Sequence, residues 1–191
     1  MTPAKRVAEV PIYQIKITLK DSRPPIWRRV LVRSDSTLAQ LHRIIQAVMG
    51  WADYHLHQFI AEGKYYGVPD PYYGDLMDMA DERRVRLNQI VRGEKFRFRY
   101  EYDFGDSWLH TLLVEKILPP ESGQRYPVCV GGRRACPPED VGGIWGYYEF
   151  LEAIQNPDHP EHEDYLEWIG GEFDPEEFNL DEVNAALRAL R

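Results

Sequence analysis

Two histidines, His55 and His57, stand one residue apart in the segment His-Leu-His. On a β-strand, alternate side chains point to the same face, so both imidazole rings would project together. Two imidazole nitrogens on one face are suitable ligands for a transition-metal ion. The spacing therefore predicts a candidate metal site. The simpler alternative is a pair of surface or hydrogen-bonded histidines.

A second group of polar residues, Asp103, Asp106 and His110, surrounds a predicted hairpin turn. If this hairpin lies beside the strand that carries the two histidines, two carboxylates and three imidazoles converge. We therefore assign His55, His57, Asp106 and His110 as candidate ligands of a divalent metal such as zinc. Asp103 is the candidate catalytic base for a metal-bound water. In the alternative, Asp106 caps the turn through backbone hydrogen bonds and the histidines pair with carboxylates.

The two cysteines, Cys129 and Cys136, are separated by six residues. Common zinc sites use cysteines two residues apart, and this chain has no second pair. Reduced thiols buried in a tight loop are the simpler interpretation. A mixed metal site with a histidine stays as the alternative.

The sequence also lacks the motifs of several standard enzymes. It contains no Gly-x-Gly-x-x-Gly, no Gly-x-Ser-x-Gly and no His-Glu-x-x-His. Nothing at the amino terminus resembles a signal peptide, and no apolar stretch reaches the length of a membrane-spanning helix. These observations predict a cytoplasmic protein without a membrane segment or a familiar catalytic motif.

The charge distribution is uneven along the chain, whose formal net charge is −8. Residues 1–50 carry nine Lys or Arg against three acids, whereas the remainder carries 14 basic and 28 acidic residues. A basic surface for nucleic acid is one interpretation, and an ordinary solvated surface is the simpler one. The overall acidity disfavours nucleic acid, because phosphate neutralisation dominates that kind of affinity.

Alternating apolar residues predict the strands that must position the polar groups. The predicted strands cover residues 12–20, 26–33, 56–62, 96–104 and 108–118. The five aromatic residues of 96–104 share one face, which is typical of a core strand rather than a stacking platform for bases. Residues 64–79 are expected to form an irregular excursion, and residues 119–143 a loop.

Helical periodicity predicts four helices of more than one turn. Thr37 and Gln40 form a capping-box pattern that begins a helix ending near Gly50, and three further helices cover about 144–155, 160–170 and 180–190. We predict one α+β domain: a mixed or antiparallel sheet of about five strands with a β-grasp-like ββαβ start, one packed helix and a helical carboxyl-terminal segment. The sheet-rich part would span 11–118, the loop 119–143 and the helical part 144–191.

A set of short segments along the chain carries a family resemblance. The segments are 13–19, 23–29, 50–51, 54–59, 102–108 with His110, 137–143, 156–157, 159–162, Trp168 and 173–175. Together they resemble the plasmid pRiA4b ORF-3-like family over about residues 11–190. The resemblance implies an α+β domain found on prokaryotic plasmids, mobile elements and chromosomes, without an established activity. Some relatives carry a resolvase-type label, but this chain shows neither a serine among arginines nor a basic helix-turn-helix.

Three functional hypotheses follow. The first is a non-catalytic interaction module for a protein partner, associated with plasmid or mobile-element biology, because the charge is segregated and standard catalytic sets are absent. The second is a metal-dependent enzyme of hydrolase type that uses the histidine–aspartate cluster. The third, more weakly supported, is a DNA-binding or recombination accessory protein.

Overall fold

The computed structural model describes residues 9–69 and 79–190. Within these ranges the chain forms one eight-stranded sheet and five helices. The strands are β1 (Ile12–Leu19), β2 (Trp27–Arg33), β3 (His57–Ala61), β4 (Lys64–Gly67), β5 (Met79–Asp81), β6 (Arg97–Tyr102), β7 (Trp108–Leu118) and β8 (Val128–Arg133). The helices are α1 (Leu38–Met49), α2 (Leu87–Ile90), α3 (Gly143–Gln155), α4 (His162–Ile169) and α5 (Leu180–Ala189). The α+β class is confirmed, but the expected count of about five strands is wrong.

The strands lie in the order β5-β4-β3-β6-β7-β1-β2-β8. All neighbours are antiparallel except β4 and β5, so the sheet is mixed. Three strands were not predicted from the sequence. They lie at the two ends of this order, β5 and β4 at one end and β8 at the other. β4 and β5 fall at the ends of the expected excursion 64–79, of which residues 70–78 lie outside the described ranges. β8 lies within the segment expected to be a loop.

Helix α1 begins and ends as its sequence predicts. The Thr37 hydroxyl accepts the Gln40 N–H at 3.1 Å, and the Gln40 side chain accepts the Thr37 N–H at 2.9 Å. Gly50 ends the helix in the left-handed conformation with φ 86°. The helix lies over β6, because His42 and Gln46 both hydrogen-bond the Tyr100 hydroxyl. This places a polar cluster inside the α1–sheet interface.

Strand β6 runs through the core. Phe98, Tyr100 and Tyr102 are almost fully buried on one face, whereas Arg97 and Arg99 are exposed on the other. Phe104, which the alternation placed on the same face, is instead exposed. The reason is that Asp103 adopts φ 58° and turns the chain out of the strand before Phe104.

The three carboxyl-terminal helices are buried to different extents. Helix α3 buries Tyr147, Phe150 and Ala153, whereas α4 contributes no buried residue and keeps two acids in its first turn. Helix α5 is anchored through Leu187 and contacts β8 and α1. Over the described residues, none of these helices has the length and apolarity needed to cross a bilayer.

Candidate functional site: a loop junction with an acidic groove

Three connections meet where β3 begins and β6 ends. They are residues 50–56 after α1, residues 103–107 between β6 and β7, and residues 137–143 before α3, which together we call the loop junction. The first two are joined by a hydrogen bond from the Asp103 N–H to the Leu56 carbonyl at 2.8 Å. The pairing of β3 with β6 brings them side by side, because the first residue of β3 is opposite the last residue of β6.

The third connection is held to the other two by carboxylates. Asp106 accepts the Gly142 N–H at 3.1 Å, and Glu139 accepts the Ala52 N–H at 3.0 Å. The Tyr102 hydroxyl donates to the second oxygen of Glu139. Burial and the adjacent Glu139 carboxylate raise the pKa of Tyr102, so this hydroxyl keeps its proton and remains a donor. Asp106 therefore ties the turn to the connection before α3 rather than capping the turn itself, where Asp103 Oδ1 accepts the Gly105 and Asp106 N–H groups at 2.9 and 3.4 Å.

Inside the junction, His55 faces two carboxylates. Its Nε2 lies 3.0 Å from the Asp140 Oδ1 and 3.7 Å from the Asp103 Oδ2. The direction of the shorter approach does not meet hydrogen-bond geometry, so this buried nitrogen has no hydrogen-bond partner among the described residues. Asp103 and Asp140 both have positive φ, 58° and 62°, a conformation that non-glycine residues adopt rarely. Such backbone geometry often marks functional sites.

The predicted pairing of His55 with His57 does not form. His57 is the first residue of β3, whereas His55 lies in a bend before it, so strand alternation does not relate the two rings. Of the predicted cluster, the structure brings together His55 and Asp103. Asp106 belongs to the same turn but faces Gly142. The metal assignment of these residues stays a prediction.

His57 takes part in a different cluster, with His42. The two rings are stacked with centroids 3.4 Å apart and planes 3° from parallel. His42 hydrogen-bonds Asp53 through Nε2 and Tyr100 through Nδ1, both at 2.8 Å, and the His57 Nε2 contacts Glu82 at 2.8 Å. Burial, followed by the neighbouring His57, lowers the pKa of His42, which favours the neutral ring.

This stacked pair is poorly arranged to share one metal ion. A metal–imidazole bond lies in the ring plane and measures about 2.1 Å. With the rings 3.4 Å apart, an ion midway between them would stand about 1.7 Å out of each plane. The pair could bind one ion only after a ring rotates away from its partner. We therefore interpret His42 and His57 as a hydrogen-bonded polar cluster under α1.

His110 belongs to the core. It is 1% exposed, its Nδ1 donates to the Trp108 carbonyl at 2.9 Å, and its ring packs against Trp51 and Tyr100. Its Nε2 has no hydrogen-bond partner within the described parts of the chain. Complete burial lowers the pKa of His110 to about 4, so the ring is neutral at physiological pH.

The two cysteines are separate free thiols. Cys129 lies buried in β8, where its N–H donates to the Asn184 side chain, and Cys136 lies in the connection before α3. Burial raises the pKa of both thiols, so both stay protonated. Across residues 9–69 and 79–190, neither belongs to a group of three metal-binding side chains.

An open groove adjoins the junction at Asp140. It has a volume of about 350 Å³ and is lined by Asp140, Val141, Glu161, Asp164, Tyr165 and Trp168. Three of these six residues are acids and none is basic. The rings of Tyr165 and Trp168 pack edge-to-face on the buried Phe150, with centroids 5.5 and 5.9 Å away. We call this feature the acidic groove.

Large apolar side chains are exposed around the junction and the groove. They are Tyr54, Leu56, Phe104, Trp145 and Trp168, and two of them, Tyr54 and Trp145, are each 78% exposed. All but Trp168 belong to the junction segments or to the first turn of α3. Single exposed apolar residues are normal, whereas contiguous apolar patches are typical of binding surfaces. Four of these five residues lie on segments that meet at or follow directly from the junction, which favours a binding surface there.

Comparison with known proteins gives relatives without an assigned activity. Residues 11–182 match the family described as plasmid pRiA4b ORF-3-like protein. An uncharacterized protein, y4hQ of Sinorhizobium fredii, is 39% identical over 181 residues, which cover 94% of this chain and 92% of that protein. The crystal structure of MM3350, a protein of unknown function from Methanosarcina mazei Go1, is similar with a TM-score of 0.82 and 38% identity. That match covers 92% of this chain and 97% of MM3350.

Proposed function

This chain belongs to the plasmid pRiA4b ORF-3-like family, and we propose that it is a non-catalytic interaction module that binds a basic segment of a partner protein. The acidic groove is the observation that carries the proposal. Its three carboxylates, without a basic residue among the lining side chains, provide a negative surface for lysine or arginine. Its location beside the exposed apolar residues of the junction gives the partner a second type of contact.

The aromatic wall of the groove strengthens the case for a cationic ligand. Trp168 is about half exposed and lies among carboxylates, and indole faces attract ammonium and guanidinium groups. Tyr165 and Trp168 are held by their edge-to-face contacts with Phe150, so the wall is formed before a ligand arrives. Preorganised aromatic side chains lose little conformational entropy on binding.

The chemistry of the groove also suggests what kind of partner it takes. Proteins that act on nucleic acids carry lysine- and arginine-rich segments that neutralise phosphates. An acidic groove on a protein of a plasmid-associated family would complement such segments. We therefore propose that the partner belongs to the nucleic-acid-processing proteins of plasmids or mobile elements.

Selection from a random-peptide display library tests this proposal directly. We expect enrichment of peptides that combine lysine or arginine with apolar residues, and salt should weaken their binding. The best peptide, titrated by fluorescence anisotropy, should bind about tenfold more weakly to Trp168→Ala, because a central aromatic residue commonly contributes more than 1 kcal/mol. Asp164→Asn should weaken binding by about threefold, the range for a partly exposed charge pair.

Glu163→Gln and Glu167→Gln are matched controls. They remove the same charge from the same helix, α4, but neither residue lines the groove. Enrichment of neutral or acidic peptides, or equal effects of Asp164→Asn and Glu163→Gln, would contradict the proposal. Self-association that Asp164→Asn abolishes would identify a second copy of the chain as the occupant instead.

A metal-dependent hydrolase is the second candidate, supported by the approach of His55 to Asp103 and Asp140. Such an enzyme would hydrolyse a test ester or phosphoester in proportion to its metal content. DNA binding has less support. Of the three arginines around a second cavity of about 350 Å³, Arg33 forms a two-point ion pair with Asp35, and Arg86 donates to the Asp35 carbonyl.

A further inference from the structure

We infer that His55, Asp103 and Asp140 form a binding site for a divalent transition-metal ion of the zinc or manganese type. The inference does not depend on whether the acidic groove binds a partner. One imidazole nitrogen and two carboxylate oxygens from three separate segments lie within 4.8 Å of one another. Imidazole favours transition metals, while the two carboxylates balance the charge of a divalent ion.

The distances from the His55 Nε2 to the two carboxylate oxygens fit one ion. With metal–ligand bonds of about 2.1 Å, the separations of 3.0 and 3.7 Å correspond to angles at the metal of about 90° and 125°. These angles fall in the range of octahedral, tetrahedral and five-coordinate sites. An ion could therefore contact all three side chains with small movements.

The His55 nitrogen supplies an independent reason to expect an ion. It is buried and without a hydrogen bond among the described residues, although a carboxylate oxygen lies 3.0 Å away. Buried polar atoms are nearly always satisfied, and an unsatisfied one needs an explanation. A metal ion between His55 and the two carboxylates would use the nitrogen lone pair and separate the two negative groups.

Asp103 is held in the orientation that a site requires. Asp103 uses Oδ1 to accept the Gly105 N–H at 2.9 Å, which leaves Oδ2 facing His55. Hydrogen bonds of this kind orient ligands around a metal. Asp103 is 12% exposed and Asp140 is 65% exposed, so the site is closed on the Asp103 side and open toward the groove. An ion here would keep positions for water or for a ligand group.

Metal titration of the full chain, without a histidine tag and stripped with a chelator, tests the inference. Isothermal titration with Zn²⁺ and separately with Mn²⁺ should give one equivalent of binding for at least one ion. Asp103→Asn and Asp140→Asn should each lower its affinity at least tenfold, roughly the loss seen when the support of a metal ligand is removed. Asparagine keeps the size of the side chain and tolerates positive φ.

Asp53→Asn is the matched control, because Asp53 also has positive φ but belongs to the His42–His57 cluster. Its affinity should match that of the native chain within about twofold, since it leaves all three proposed ligands in place. Absence of binding by the native chain, or an equal loss in Asp53→Asn, would overturn the inference.

A measurement on the native chain covers the case in which a variant fails to fold. Mn²⁺ broadens nuclear magnetic resonance signals of nearby protons, and the ring signals of His55 should disappear at lower ion concentration than those of His42 and His57. The opposite order would place the ion in the stacked cluster and would refute the assignment.

Discussion

His110 should make the protein sensitive to mild acid. Its ring is almost fully buried between Trp51 and Tyr100, and complete burial lowers its pKa to about 4, compared with about 6.5 in an unfolded chain. Because the folded chain resists protonation of this ring, protons bind preferentially to the unfolded chain below pH 6.5. The contribution of the neutral His110 ring to the free energy of unfolding is thus complete above pH 6.5, and it is lost as the pH falls toward 4.

The size of the effect follows from the two pKa values. A difference of about 2.5 pKa units corresponds to about 3 kcal/mol in total, of which about 2 kcal/mol is lost between pH 7 and pH 5. That interval is informative because most unperturbed carboxyl groups remain ionised over it. His42, whose pKa is also lowered, contributes in the same direction, so a single measurement on the native chain would not isolate His110.

The comparison that isolates it uses His110→Gln, which removes the titrating ring but keeps a polar side chain of similar volume. Urea unfolding, monitored by tryptophan fluorescence, gives the free energy of unfolding of both proteins at pH 7 and pH 5. The native chain should lose about 2 kcal/mol more than the variant over this interval. Equal pH dependence in the two proteins, with unchanged denaturant slopes, would show that folding does not lower the pKa of His110 and would refute the reasoning.

Two further predictions concern a glycine of the junction and a leucine of helix α5. Gly143→Ala should cost about 2 kcal/mol or more in urea unfolding, because φ is 68° and a Cβ atom would lie 2.4 Å from the Asp106 carbonyl oxygen. Gly123→Ala, at φ 79° but with open space around it, is its control and should cost about 1 kcal/mol. Leu187→Ala should cost about 3 kcal/mol by leaving a cavity under α5, whereas Leu180→Ala on the exposed side of the same helix should change stability by under about 0.5 kcal/mol. Equal costs within either pair would contradict the corresponding argument.

The parts of the fold that could be predicted from the sequence are those with a periodic pattern. β1, β2, β3, β6 and β7 follow from alternation, and α1 follows from its capping box and apolar stripe. β8 could not be predicted, because its residues include two consecutive glycines and only Cys129 among them is buried, so the segment shows no apolar alternation. Gly132 is required there because a Cβ atom would clash with the Phe178 ring at 2.5 Å, a contact between segments distant in sequence.

The candidate site could be predicted from the sequence only in part. The approach of His55 to Asp103 follows from placing the β6–β7 hairpin beside β3, which the structure bears out. The joint orientation of His55 and His57 could not be judged, because it depends on which residue begins the strand. No sequence pattern around Asp140 or His42 indicates a site. Asp140 lies in a connection that reaches the junction only through tertiary contacts, and His42 lies among the apolar residues of α1.

Asp140 belongs to both the acidic groove and the proposed metal site, so the two proposals constrain each other. A divalent ion held by His55, Asp103 and Asp140 would place positive charge at one end of the groove and weaken binding of a basic peptide there. Thermodynamic linkage requires the peptide to weaken metal binding by the same factor, and the coupling should be about fivefold or more if Asp140 is shared. Peptide titrations with and without saturating metal measure this factor, and Asp164→Asn should leave it unchanged because Asp164 lines the groove but is not a metal ligand. If the peptide and the metal ion both bind and neither affects the other, Asp140 does not contact both. One of the two sites must then be formed by other residues.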